Sequence, residues 1–378
     1  MKTVHHRLPA DTPGTRTELV SLHFGTPGRG PKAAIQASLH ADEVPAMLVA
    51  HHLRERLAAL EADGRVLGEV VLVPAANPLG LSQRLLHGPV GRFHLGSGEN
   101  FNRHYADLVD TVAAAVQGRL GAEADANVAL VRAAMRDAVA ALPSRNALQG
   151  LRNVLLGLAI DADLVLDLHT DQEAVVHLYT ATPVWPRVRA LSCLLGAQVA
   201  LLATESGDHP FDEACSMPWP ALAARLGMAE GAAGATPLPP ACVAVTVELR
   251  GEADVSHELA ARDAQAILDW LATEGVLAAP TAALPEALCE ATPLAGSMPV
   301  AAPHGGILVW CRHPGDRVAA GEVLADVVDP LSGLTSPLAS PVDGLLYARE
   351  SRRFAVAGAS VCKVAGQQPL RLGKLLSA

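Results

Sequence analysis

The chain has 378 residues, half of them hydrophobic and 18% charged, with a mean hydropathy of +0.25; apolar surface is plentiful enough to exclude disorder as the main state. The formal net charge is −10, from 29 basic and 39 acidic residues, which argues against a general nucleic-acid binder and against a polybasic membrane anchor. Aromatic residues make up only 3%, so the core has to be built mainly from Ala, Leu and Val.

The opening MKTVHHRLPADTPG has no apolar run, and no signal peptide is expected there. Lys32 to Leu39 is a short apolar run that ends on the polar group His40-Ala-Asp-Glu43. Val44 to Leu60 reads as a helix with Pro45 in its first turn, where proline is tolerated. Glu69 to Pro74 is a buried strand ending at Asn77-Pro78, and residues 79–104, rich in Gly and Arg, read as a long loop. Residues 106–142 carry helical spacing of Ala, Val and Leu. Leu164 to His169 and Cys242 to Leu249 are two further strands.

Strands alternating with helices predict an α/β domain with a mostly parallel or mixed sheet, whose ligands sit at the carboxyl ends of the strands. His40, His169 and Glu248 all lie at or just beyond such ends. Near residue 278 the composition turns Ala- and Pro-rich, reading as a linker. After it come short β-like runs separated by Gly turns, without helical period. A large α/β domain over 1–280, a linker over 281–300 and an all-β domain over 301–378 are expected. The longest apolar stretches are broken by Arg, Asp or Gly before about 18 residues, so no bilayer span is expected. Six cysteines without a Cys-x-x-Cys pair fit a reducing compartment rather than a disulfide framework. The protein reads as cytoplasmic.

His40 and Glu43 stand three residues apart on a tight strand-to-helix turn. An imidazole and a carboxylate so placed can face the same way and suit a borderline metal such as zinc; with 15 histidines in the chain, the pair alone also arises by chance. A catalytic zinc needs a third protein ligand, for which His169 is the best candidate, with Asp167 on the same face of its strand as outer support. Glu248 is set in an apolar strand, where a carboxylate needs a partner or a task; Arg250 is the partner that would make it merely structural. In the loop, Arg92 and Arg103 are natural receptors for a carboxylate, and Asn102 can add a donor.

His-x-x-Glu, then Asn-Arg, then a strand-end Asp-Leu-His, then Val-Glu-Leu-Arg, in this order, resembles the zinc carboxypeptidase superfamily. The branch it resembles is the succinylglutamate desuccinylase/aspartoacylase family, over most of residues 32–255. The resemblance implies a zinc-carboxypeptidase-like mixed sheet flanked by helices. It implies one Zn2+ held by His40, Glu43 and His169, with Glu248 as general base and then proton donor. Asn102 and Arg103 would grip a substrate carboxylate, and Arg92 would stabilise the oxyanion, with Arg84 as the alternative for that role. The implied activity is deacylation of an N-acyl amino acid or similar small amide. A metallocarboxypeptidase acting on short peptides and a non-catalytic zinc-binding relative are the alternatives. Asn100 stands where relatives often carry Asp, and residues 106–160 look like a helical insertion.

The tail, with Pro-Gly-Asp-Arg-Val and Pro-Val-Asp-Gly-Leu, resembles the barrel-sandwich fold of biotinyl and lipoyl domains. No lysine stands at the tip near Asp329–Gly333, so a swinging arm is rejected and a β-domain capping the active site is expected instead. Thr204 to Pro220 is polar and reads either as pocket lining or as a plain surface loop. The sequence leaves the oligomeric state open, a homo-oligomer included.

Overall fold

The computed structural model describes residues 1–228, 237–280 and 283–376; the first two positions of the expected linker and the last two of the expected β-domain lie outside the described residues. A nine-stranded mixed sheet forms the frame. In chain order its strands are β1 (Lys2–Arg7), β2 (Glu18–Gly25), β3 (Lys32–Ala37), β4 (Glu69–Val73) and β5 (Leu164–Asp171), then β6 (Val176–Ala181), β7 (Val199–Ala203), β8 (Val243–Gly251) and β9 (Ala291–Pro293). Across the sheet they run β1-β2-β4-β3-β5-β8-β6-β7-β9. The central neighbours β4, β3, β5 and β8 are mutually parallel, while β8 and β6 are antiparallel. These central strands are near-continuous runs of Val, Leu, Ile and Ala, as strands buried on both faces require. Edge strand β1 instead alternates exposed and half-buried residues.

One face is covered by α1 (Pro45–Ala62) and by the helices Trp185–Leu195 and His257–Thr273. Leu53, Leu57, Ile267 and Trp270 pack there against Leu166, Val245 and Val247; each such fully buried side chain contributes about 1.5–3 kcal/mol. Pro45 stands in the first turn of α1, where its missing N–H has no partner to lose. The opposite face is shared between two groups of elements. The helices Val109–Val116, Ala124–Ala140 and Ala147–Ala159 cover one half, around Val112, Met135 and Leu151. The expected helical run 106–142 is broken in two around Gly118, which adopts φ +70; the left-handed region is reached by glycine without steric cost.

The other half of that face meets the C-terminal strands. These form two antiparallel sheets, one with Ser297–Ala301, Gly344–Arg349 and Ser360–Ala365, the other with Gly306–Trp310, Val323–Val328 and Thr335–Ala339. Between them lies their own core of Leu308, Leu324, Val327, Leu346 and Val364. A smaller cluster joins them to the large sheet: Val175, Val199 and Leu201 pack on Leu294, Tyr347 and Ala348. The short strand Glu173–Ala174 also pairs with Ala348 and Arg349, and Arg349 Nε donates to Glu173 Oε2 at 2.7 Å. Ala291–Pro293, within the stretch read as a linker, is itself an edge strand paired with β7. The α/β fold with its mixed sheet, flanking helices and C-terminal all-β part is therefore as the sequence predicted. No helix among the described residues is long and apolar enough to cross a membrane.

Candidate active site

The chain leaves β3 through Ser38, which adopts φ 58. Ser38 N donates to Leu168 O at 3.1 Å and its hydroxyl to Glu43 O at 2.7 Å, so the turn carrying His40 and Glu43 is pinned to the end of β5. His169 stands near that same end. His40 Nδ1 lies 2.8 Å from Glu43 Oε1, and His169 Nδ1 lies 2.7 Å from Glu43 Oε2. One atom from each of the three residues falls within 4.8 Å of the others, and all three side chains are buried.

Both imidazoles turn Nδ1 inward and are held from outside through Nε2. His40 Nε2 is 2.8 Å from Asn100 Oδ1, and His169 Nε2 is 2.8 Å from Asp167 Oδ2. Asp167 in turn accepts from Gln36 Nε2 at 2.8 Å. Burial opposes ionisation of Glu43, but His40 and His169 outweigh it and hold its carboxyl well below the usual carboxylate range. Burial likewise works against a charged His169, yet Asp167 and Glu43 raise its pKa well above the ordinary value. Two nitrogens and a carboxylate, with each ring oriented from behind, fit the donor set of a borderline divalent metal ion. Asn100 is a neutral support where Asp167 is a charged one, so the two rings differ in basicity.

Glu248 is brought into this group by strand register. On β8 it pairs with His169 of β5 on one side and with His177 of β6 on the other. Its Oε2 is buried without a hydrogen-bond partner. Burial first, and the Glu43 carboxylate second, push its pKa up to about 8. Arg250, the partner that would have made Glu248 structural, turns away. The register of β8 shifts between Glu248 and Gly251, Arg250 adopts φ 71, and its guanidinium pairs with buried Asp263.

Arg92 Nη1 lies 3.3 Å from His40 Nδ1 and 3.5 Å from Glu43 Oε1. Arg84, the alternative, sits on an exposed two-residue hairpin and donates to Leu81 O and Gln83 O at 2.6 and 2.9 Å. The segment bearing Arg92 is docked by Gly91, whose N–H donates to Asp42 Oδ2 and whose carbonyl accepts from Ala41 N, both at 3.1 Å. A Cβ on Gly91 would come within 2.3 Å of Asp42 N. Gly91→Ala is therefore expected to displace Arg92 and lower kcat by about 10- to 100-fold, with metal content unchanged; an unaltered kcat would detach Arg92 from the chemistry.

Asn102 is fixed at both ends of its amide: Oδ1 accepts from Phe211 N at 2.9 Å, and Nδ2 is 3.3 Å from Asp167 Oδ2. Arg103 is buried and donates from Nη1 to Asn102 O at 2.7 Å. Both line a cavity of about 500 Å³ that also reaches His40, Glu43, His169 and Glu248.

Part of that wall comes from segments whose role the sequence leaves undecided or unassigned. Ser206, Asp212 and Glu213, in the ambiguous stretch Thr204–Pro220, line the cavity, and the stretch contains the helix Phe211–Ser216 rather than only a surface loop. Tyr347 and Lys363 of the C-terminal strands line it too, and Lys363 Nζ reaches Asp171 Oδ2 at 2.5 Å. A basic residue in a β-like run more than a hundred positions from the other site residues leaves no local trace of such a contact.

Residues 29–129 match the family model of the succinylglutamate desuccinylase/aspartoacylase catalytic domain. A succinylglutamate desuccinylase/aspartoacylase family protein from Shewanella amazonensis SB2B superposes with a TM-score of 0.84 at 26% identity, over 97% of this chain and 98% of that one. A second such protein, from Shewanella frigidimarina NCIMB 400, gives 0.82 at 24% identity, over 97% of each chain. The succinylglutamate desuccinylase/aspartoacylase of Rhodobacter sphaeroides shares the fold at 16% identity, with a TM-score of 0.65 over 97% of this chain and 96% of that one. No curated protein matches the sequence significantly.

Proposed function

We propose, for a chain that belongs to the succinylglutamate desuccinylase/aspartoacylase family, that the cavity is the active site of a zinc-dependent amidohydrolase deacylating an N-acyl amino acid or similar small amide. The observation that carries this reading is the pairing of a shared carboxylate, Glu43 between two imidazoles, with Glu248 one strand away, whose Oε2 has no hydrogen-bond partner among the described residues. Zinc held by His40, Glu43 and His169 would supply electrophilic assistance to the acyl oxygen and acidify a water.

The remaining steps fall to side chains. Glu248 takes the proton of the attacking water and returns it to the leaving nitrogen, a task suited to a carboxyl whose pKa has been raised by burial. Arg92 donates to the charge that develops on the acyl oxygen. Arg103 receives the substrate carboxylate in its planar fork, and Asn102 adds its second amide hydrogen. Arg84 has no part. We assign the C-terminal strands, 301–378, as a cap joined through 281–300 to the hydrolase domain 1–280. Tyr347 and Lys363 then narrow the cavity, which favours small amides over the short peptides a carboxypeptidase would take.

The test is a metal analysis joined to an acetyl-amino-acid hydrolysis screen. Arg103→Ala is expected mainly to raise KM and Arg92→Ala mainly to lower kcat, because uniform binding shows in KM and transition-state contacts show in kcat. If Arg103→Ala still separates an acyl amino acid from its carboxamide as wild type does, the carboxylate is read elsewhere.

A further inference from the structure

We propose that His52 and His257 form a metal site apart from the cavity, at the outer surface of the helical layer, for a borderline divalent ion such as Zn2+, Ni2+ or Cu2+. His52 stands in the second turn of α1, and His257 is the first residue of the helix His257–Thr273. Neither lines the cavity described above, so the site is independent of the amidohydrolase reading.

His52 Nε2 lies 3.1 Å from His257 Nδ1. The rings meet edge to face, with centroids 5.3 Å apart and planes at 84°. Imidazole nitrogen binds zinc at about 2.0–2.1 Å. An ion at that length from both nitrogens closes an angle of about 100°, between the square and tetrahedral values. A modest turn of each ring aims its nitrogen at that point. Both rings have room to turn, since His52 is half-buried and His257 exposed. Without an ion, one nitrogen donates a proton to the other. The ion takes the place of that proton, which passes to solvent.

The surroundings suit neutral imidazoles, the form that binds metal. Burial first, then His257, His51 and Arg56, hold His52 below its ordinary pKa. Arg56 is drawn aside, its Nη1 donating to Gln265 Oε1 at 2.8 Å. Glu55 offsets its charge: it lies 3.4 Å from His51 Nε2, and its field reaches His52. Glu258 stands in the first turn of the second helix, where a carboxylate offsets the positive end of the helix dipole. His51 brings a third imidazole to the rim, its ring centroid 5.5 Å from that of His52. Water takes the remaining positions.

The place of the pair gives the ion something to hold. α1 begins two residues after Glu43, and the second helix follows β8, the strand of Glu248. An ion shared by the two helices ties these elements together from outside. Because it binds the folded chain, it raises Tm as its concentration rises.

Calorimetric titration of the metal-free, full-length protein with Zn2+ tests this, in wild type, His52→Ala and His257→Ala. Alanine is the best helix former, so neither change burdens its helix. Wild type is expected to bind a tight ion in the cavity and a weaker one at the surface. Each substitution is expected to weaken the second class at least about 10-fold, as even the loss of an outer support does, and to leave the first unchanged. Cu2+ added to the zinc-loaded protein gives a separate readout. Electron paramagnetic resonance should show nitrogen couplings from two imidazoles in wild type and from at most one in either variant. A single ion per chain that His52→Ala leaves in place would overturn the site, as would a second class that neither substitution weakens. A single ion kept in His169→Ala and lost in His52→Ala leaves the surface site standing and removes the metal from the cavity.

Discussion

Glu248→Gln is expected to lower kcat by about 10²-fold or more, the scale of general-base catalysis, and to leave the metal content unchanged. Glutamine keeps the size and the place of the side chain on β8, between His169 and His177, and removes only the ability to take a proton. The strand itself is secured elsewhere, by the Arg250–Asp263 pair one bulge away, so the fold does not depend on the carboxylate. The wild-type rate should fall on the acid side as Glu248 gains its proton, and that limb should vanish in the variant. Stopped-flow or steady-state kinetics with parallel metal analysis decide the matter. A variant turning over near the wild-type rate would make Glu248 structural.

Removal of either imidazole is expected to empty the proposed metal site. Wild type is expected to carry about one zinc per chain, as three protein ligands with an open position would, and His40→Ala and His169→Ala each lose most of it. The two losses differ in their effect on the fold. His169→Ala takes from the fully buried Asp167 its imidazole partner and leaves it only the amides of Gln36 and Asn102; a lost hydrogen bond to a charged group costs about 1.5–3 kcal/mol. Each variant also takes one imidazole from Glu43, but behind the ring His40→Ala deprives only the neutral Asn100 of its partner. Elemental analysis and thermal unfolding should therefore rank His169→Ala as the more damaging to Tm. Full metal retention in both variants would sink the assignment.

Convergence of His40 and His169 was legible because each stands at or just beyond the carboxyl end of a strand written as an apolar run, and Glu43 because it follows His40 by three residues on the same turn. Neighbouring parallel strands place such ends together. Asp167 was legible as well, by alternation along β5. The choice between Arg92 and Arg84 was not, because the loop between them has no period. Gly91 lying flat against Ala41 and Asp42 brings Arg92, and not Arg84, up to His40 and Glu43. The strands β1 and β2 went unread: β1 has little apolar character to betray it, and the strand is made by pairing with β2 rather than by burial. The helix Phe211–Ser216 was hidden by its brevity and by the prolines on either side of it, Pro210 and Pro218. Asn102 fixes it from outside by accepting from Phe211 N, a contact across more than a hundred residues. Arg349–Glu173 and Lys363–Asp171 are of the same kind, set by tertiary packing and by nothing local.

The place of β8 in the sheet has a consequence for the order in which the protein is made. Strands β5 and β6 lie within ten residues of each other in the chain, yet they do not pair; β8 is wedged between them, parallel to one and antiparallel to the other. A ribosome delivers β8 about sixty residues after β6, which at about 5–20 residues per second is a delay of several seconds. Throughout that interval two apolar strands, Leu164–Asp171 and Val176–Ala181, have bare edges facing a gap that is not yet filled. Such edges recruit other chains. The last strand to close the gap is also the one that brings Glu248, so in a nascent chain the cavity gains this carboxyl only as the interior of the sheet is closed.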